Sequence, residues 1–370
     1  MTNTKEFFMR DAEAIEADEA LINSFKAKVE KGFEILDVSA EEKSISLKVE
    51  PRYSHEESFS LVHSEFVGTD FFLLYRREEG YLDLTILKKL VKKRKISPQI
   101  HTILLIATFI TVTWAGYIWW ADANFPQSVM FAIALMAILG GHEVGHTLMA
   151  RRRSIDSTLP FFIPAPPLFP FGTFGAVIFM NSPVPNRKSL LDVGMSGPIL
   201  GFLLSLPFVI IGLEYSRVAI AVPEEAPFAL GPSLLFLFLV RRILGSGSPF
   251  VTLHPLAAAG WAGFFVTALN LLPMGQLDGG HVVRGVFPRY YKKIYYGIAV
   301  LLLLLTALWP GWLLWVVLIA IMTRLDHPGP LDDVTELDQG RRIMAMVILV
   351  IFILCFMPLP VIPTEMLRFI

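Results

Sequence analysis

Charge is scarce in this chain. Of 370 residues only 18% are Asp, Glu, Lys or Arg, where a soluble domain carries about a quarter. The few charges nearly cancel, to a formal net of −1, so no bulk field favours nucleic acid. Cysteine is almost absent. Cys355 stands alone inside an apolar block, which excludes an internal disulfide and leaves the redox compartment open. The first residues, MTNTKEFFMRDAEAIEADEA, lack both an apolar core segment and an Arg/Ser-rich amphipathic pattern. No cleaved signal or organellar transit peptide is therefore expected at this end. Internal repeats and low-complexity tracts are missing too. What fills the chain instead is apolar: 54% of it, in long uninterrupted blocks. A water-soluble core does not need such blocks, but a bilayer does, because a spanning helix takes about 20 apolar residues.

The residues up to about position 95 are an exception and read as a small α+β unit. Apolar residues recur at helical spacing from Glu13 to Lys31. Phe33–Val38 and Ser44–Val49 alternate like paired strands, and Ser54–Val67 suits a second helix. Asp70–Tyr75 and Tyr81–Leu87 suit a hairpin around Glu78, Glu79 and Gly80. The expected order is α-β-β-α-β-β, with a division into a cytosolic domain over 1–97 and a transmembrane domain over 98–370. Lys88, Lys89, Lys92, Lys93, Arg94 and Lys95 precede the first apolar block and place this domain on the cytosolic side.

About seven spanning helices are expected, near 101–120, 127–149, 190–213, 255–273, 294–309, 311–323 and 343–362. Ser233–Leu244 is apolar but ends in Arg241-Arg242 on the expected outer side, which suits an interfacial or re-entrant helix. Pro160, Pro164, Pro166, Pro167 and Pro170 interrupt any helix before Gly172-Thr173-Phe174-Gly175 and the strand-like Ala176–Phe179. Irregular backbone at membrane depth survives only where protein or a wet cavity satisfies it. The expected fold is thus a polytopic α-helical membrane protein with a re-entrant β-hairpin loop and a small N-terminal α+β soluble domain.

The chemistry concentrates in Gly141-His142-Glu143-Val144-Gly145-His146. Histidines four apart on a helix share one face, so both imidazoles can reach one cation. Glu143 stands beside them, placed to accept a proton from water. Two His and a Glu inside an apolar helix are expensive, and intramembrane ionisable groups mark function. Imidazole suits Zn²⁺, one per chain, and a catalytic zinc needs a third protein ligand plus an open position. Asp278, in Asn270-Leu-Leu-Pro-Met-Gly-Gln-Leu-Asp-Gly-Gly-His281, sits at the matching depth, and Pro273 and the glycines would bend the backbone toward the metal. A turn-capping Asp-Gly is the bland alternative for Asp278. His281 is the nearest competing ligand and is preferred as a supporting group, while His254 and His327 read as ordinary loop histidines. A metal transporter, a catalytically idle scaffold and a metallopeptidase with a glutamate third ligand remain as competing readings.

The HEVGH, GTFGA and NLLPMGQLDGGH segments together resemble the site-2 protease family of intramembrane zinc metalloproteases, in its branch with an N-terminal soluble domain. The likeness is strong over roughly residues 125 to 290. It implies a protease that cleaves transmembrane segments of other membrane proteins. It implies His142, His146 and Asp278 as zinc ligands and Glu143 as the general base. It also implies that Asn270 binds substrate backbone, and that Gly172, Thr173, Phe174 and Gly175 hold the substrate extended. Gly197-Pro198 matches a family pair, whereas Gly201 stands where the family often has Asn. The expected partners are a transmembrane protein substrate and the lipid bilayer, not nucleic acid, with the oligomeric state left open.

Overall fold

In the computed structural model the described residues are 8–9, 12–15, 18–78, 80–88, 97–166, 169–219, 228–245, 250–323 and 327–363. The basic run Lys89–Lys95, together with Glu79, Pro167 and Arg324, lies outside them.

Helix α1 (Glu19–Val29) starts where Asp18 accepts a hydrogen bond from the Leu21 N–H, an N-cap. It is followed by β1 (Phe33–Glu41), β2 (Ser44–Pro51), α2 (His55–Phe66), β3 (Phe71–Arg77) and β4 (Leu82–Lys88). The four strands form one antiparallel sheet in the order β1-β2-β4-β3. Its core holds Phe25, Phe33, Leu47, Phe66, Leu74, Tyr75 and Ile86, and it also takes in Leu331 and Val334 from far along the chain.

Helix α3 (Pro98–Trp119) opens on Ser97 as N-cap with proline in the first turn. Helices α4 (Phe125–Arg152) and α5 (Arg187–Glu214) follow. Among the described residues these three are long and apolar enough to cross a membrane. On α3 the exposed residues include Ile103, Ile106, Ile110 and Trp114. They make a stripe at helical spacing that lipid, not water, would cover. The other four expected spans fall on shorter helices: α7 (Pro255–Asn270), α9 (Tyr291–Leu305), α10 (Gly311–Thr323) and α11 (Gln339–Cys355). The Ser233–Leu244 segment forms helix α6 (Leu234–Leu244), which Ser233 caps.

Between α4 and α5 the chain makes a hairpin of β5 (Phe161–Pro164) and β6 (Thr173–Val177), antiparallel, with Phe161 opposite Val177 and Pro164 opposite Thr173. Short pairs β7 (Arg217–Ala219) with β9 (Phe250–Thr252), and β8 (Phe228–Leu230) with β10 (Val361–Pro363), tie down loops elsewhere. Helix α8 (Asp278–Val286) follows α7 after a turn over residues 271–277. The main core lies where α4, α5 and α7 meet, around Phe131, Leu135, Val209, Ala258, Trp261 and Phe264.

Small residues set the close approach of α4 to α5. A Cβ at Gly145 would lie 2.6 Å from the Ser196 carbonyl oxygen, and one at Gly201 would lie 3.1 Å from Nδ1 of His142. Gly197, Gly201 and Ser205, four apart on α5, form the small-residue face that lets helices touch backbone to side chain.

Candidate metal centre

Helix α4 carries His142 and His146 one turn apart, both buried. Their Nε2 atoms lie 3.1 Å from each other. Asp278, the first residue of α8, sends Oδ2 to 3.1 Å from His142 Nε2 and Oδ1 to 3.2 Å from His146 Nε2. Two imidazole nitrogens and the two oxygens of one carboxylate thus face one another. The backbone between α7 and α8 makes this possible: Met274 N–H donates to Leu272 O, Gly275 takes a positive φ of 53°, and the chain re-enters a helix at Asp278. Close packing holds that turn, since a Cβ at Gly279 would lie 2.0 Å from Leu271 O.

The donor set fits a cation. His146 Nδ1 donates to the Val193 carbonyl at 2.9 Å, which orients the ring with Nε2 toward His142 and Asp278. The Asn270 amide nitrogen and Asp278 Oδ2 lie 3.2 and 3.1 Å from His142 Nε2. Two imidazole nitrogens and a carboxylate therefore converge, a donor set that suits zinc. Tetrahedral ligands at about 2.0–2.1 Å from zinc sit roughly 3.4 Å apart, close to the 3.1–3.2 Å separations here. His142, His146 and Asp278 are a group able to hold a metal ion among the described residues.

Glu143 is also buried, at 6% exposure. The Ile178 backbone N–H interacts with its carboxyl group, which places the end of the β6 strand beside it. Thr173 donates from Oγ1 to the Ile163 carbonyl at 2.8 Å and accepts from the Gly175 N–H at 3.0 Å. Gly172 (φ 65°) and Gly175 (φ 100°) occupy the left-handed region that only glycine enters freely. Phe174 is 61% exposed and points away from the core. Gly201 faces His142 without offering it a polar group.

His327 is not an ordinary loop histidine: it is buried, and its Nε2 lies 2.6 Å from Nδ1 of His281. The Gly329 N–H donates to His327 Nδ1 at 2.9 Å, so Nε2 carries the proton and donates to His281. Burial lowers His281 to about 4 and His327 well below its ordinary value, so both rings are neutral. No local pattern announces this pair, because its members lie 46 residues apart. The glycine spacing on α5 was a signal that could have been found.

Residues 130–306 match peptidase family M50. The chain is 34% identical over 246 residues to "Probable zinc metalloprotease EGY1, chloroplastic" of Oryza sativa subsp. japonica, covering 64% of this chain and 42% of that protein. The Arabidopsis thaliana protein of the same description is 32% identical over 245 residues, covering 64% and 43%. "Probable zinc metalloprotease EGY2, chloroplastic" of Oryza sativa subsp. indica is 31% identical over 248 residues, covering 63% and 43%. No solved structure matches. The chain contains a peptidase family M50 domain and is homologous to the EGY zinc metalloproteases. It spans less than half the length of these relatives.

Proposed function

We propose that this chain is an intramembrane zinc endopeptidase, with His142, His146 and Asp278 as ligands and Glu143 as general base and acid. The observation that carries the reading is the convergence of two imidazole nitrogens, from a helix apolar enough to span a bilayer, with the Asp278 carboxylate beside a buried glutamate. When bound, zinc supplies Lewis acidity, which polarises a peptide carbonyl and acidifies water.

The chain's own groups do the rest. Glu143 takes a proton as the water oxygen attacks the carbonyl carbon, then returns it to the amide nitrogen as the C–N bond breaks. Asn270, beside His142, is placed to orient substrate backbone. β6 has no strand partner besides β5 among the described residues, so an extended peptide can add to its free edge. Gly172, Thr173, Phe174 and Gly175 shape that edge. The substrate is then the unwound part of another protein's transmembrane segment, the use expected of regulated intramembrane proteolysis.

The finer topology belongs to the same proposal. The four shorter apolar helices complete about seven crossings around α3, α4 and α5, with a cytosolic α+β unit over 1–97 and a transmembrane zinc protease unit over 98–370. Arg151 and Arg152 close α4, Arg187 and Lys188 open α5, and Arg289 and Lys292 follow α8, and Lys188 pairs with Glu56 of the N-terminal unit, which favours a cytosolic site opening.

The test pairs wild type with Glu143→Gln in detergent. Both are expected to carry one zinc per chain, and only wild type is expected to cleave single-span membrane proteins. Full cleavage by the variant would sink the assignment of Glu143.

A further inference from the structure

Helix α8 carries the third ligand, yet little in its own sequence holds it in place. It has nine residues, three of them glycine, and its N-cap Leu277 makes no side-chain bond. Helices this short do not persist alone, and each interior glycine disfavours helix by about 1 kcal/mol. The position of Asp278 must come from contacts beyond α8.

Many of those contacts come from one segment, residues 327–335, between α10 and α11. His327 meets His281, one turn past Asp278, at 2.6 Å. Asp333 accepts two bonds from Arg284 on the same helix, at 2.9 and 2.7 Å, and Arg284 is 5% exposed. Arg187, at the start of α5, donates to the α8 carbonyls of Gly285 and Val286 at 2.9 and 3.4 Å, and to Thr335 O at 3.5 Å.

The segment is itself fastened on two sides. On one side the Tyr75 N–H donates to Leu331 O at 2.9 Å, and the Asp333 N–H donates to Tyr75 O at 3.1 Å. This adds Asp332 in parallel to the outer edge of β3. Arg76, buried, donates to the carbonyls of Pro330 at 2.7 Å and Leu331 at 2.5 Å. On the other side the N–H groups of Leu331 and Asp332 donate to Val184 O and Pro185 O, both at 2.8 Å. Leu331 and Val334 are buried in the core of the N-terminal sheet. Asp332 closes the segment on itself, accepting from the Val334 and Thr335 N–H groups at 2.8 and 3.0 Å and from the Thr335 hydroxyl.

We infer that residues 327–335 are a strap that positions Asp278 by clamping α8 to the N-terminal sheet, with Arg284, Asp333 and Arg76 as positioning residues of the metal site. The inference rests on the metal-centre reading above. It makes the N-terminal sheet part of the scaffold of the site, so whatever shifts β3 shifts the third ligand. The competing account is that the 271–277 turn and the packing of α8 on α5 place Asp278 unaided. That packing is tight, since a Cβ at Gly194 would lie 2.7 Å from His281 Cβ.

The experiment measures zinc affinity of the full chain in detergent by competition with a chromophoric chelator. The visible spectrum of the cobalt-loaded protein reports the ligand geometry. Asp333→Asn and Arg284→Gln are expected to weaken zinc binding by about 10- to 100-fold, the range for groups that orient ligands, and to shift the cobalt bands. The exchange Arg284→Asp with Asp333→Arg should recover most of that loss. Arg76→Met, whose guanidinium bonds the Pro330 and Leu331 carbonyls of the strap, should weaken zinc by about tenfold through the strap. Phe236→Leu, buried in α6 away from the strap, supplies matched destabilisation and should leave affinity and spectrum unchanged. Where Asp333→Asn does not fold, Arg284→Lys keeps the charge but loses the fork, and should give a smaller loss with the same spectral shift. Wild-type affinity and spectrum in the Arg284 and Asp333 variants would overturn the strap while leaving the metal centre standing. No zinc in wild type would overturn both.

Discussion

Gly197→Ala adds one methyl group and should dismantle the metal centre. A Cβ at position 197 would lie 2.1 Å from His146 Nε2, 2.5 Å from Cδ2 and 2.6 Å from Cε1. Non-bonded heavy atoms settle at about 3.5 Å or more, so the ring would have to retreat by roughly 1.4 Å. Metal–ligand distances tolerate about 0.2 Å. The ring cannot simply slide, because its Nδ1 donates to the Val193 carbonyl on the same helix as Gly197. Loss of one ligand in three should exceed the 10- to 100-fold effect of disturbing a group that merely orients a ligand. We expect zinc affinity to fall at least ~100-fold, about 2.7 kcal/mol. Gly201→Ala, whose Cβ would lie 3.1 Å from His142 Nδ1, should give a smaller loss. Gly297→Ala meets nothing within 4 Å among the described residues and should bind zinc as wild type does. Chelator competition on the three variants decides the matter. Gly197→Ala binding within threefold of wild type would refute the geometric argument.

Further outcomes follow from the same geometry. Stripping the metal with a strong chelator leaves converging acceptors unneutralised, so the midpoint of thermal unfolding should fall, and zinc at 1,000 times its Kd should restore about 4 kcal/mol. Thr173→Val removes the bond to Ile163 O and the acceptor for Gly175 N–H. It should lower cleavage while zinc content, measured by atomic absorption, stays at the wild-type level. His281, neutral when folded with its pKa lowered to about 4 from 6.5, binds a proton more readily when unfolded. Its contribution is therefore fully present above about pH 6.5 and declines as pH falls toward 4, by up to about 3 kcal/mol. Denaturant unfolding between pH 7 and 4.5 should show that slope, and His281→Gln should flatten it. An unchanged slope in His281→Gln would assign the acid sensitivity elsewhere.

The sequence by itself determined what depends on near neighbours along the chain. The four-residue spacing of His142 and His146 places both rings on one helical face wherever that helix goes. The proline-rich stretch before Gly172 forbids a helix and leaves a hairpin. Alternation over Phe33–Val38 and Ser44–Val49 was legible as strands. Asp278 could be named because Pro273 and Gly275 announce a break in the helix, though its distance to the histidines was decided by packing. The tertiary structure alone decided the rest. Only folding brings Val193 O to His146, His327 to His281, and Asp333 to Arg284 across 49 residues. Only folding inserts Leu331 and Val334 into the core of a sheet more than 200 residues earlier. The physical reason is the range of each interaction. Helical and pleated periods arise from backbone geometry within a few residues. Partners for buried polar groups are chosen by which distant surfaces the helices bring within 3 Å, and no local pattern encodes that choice.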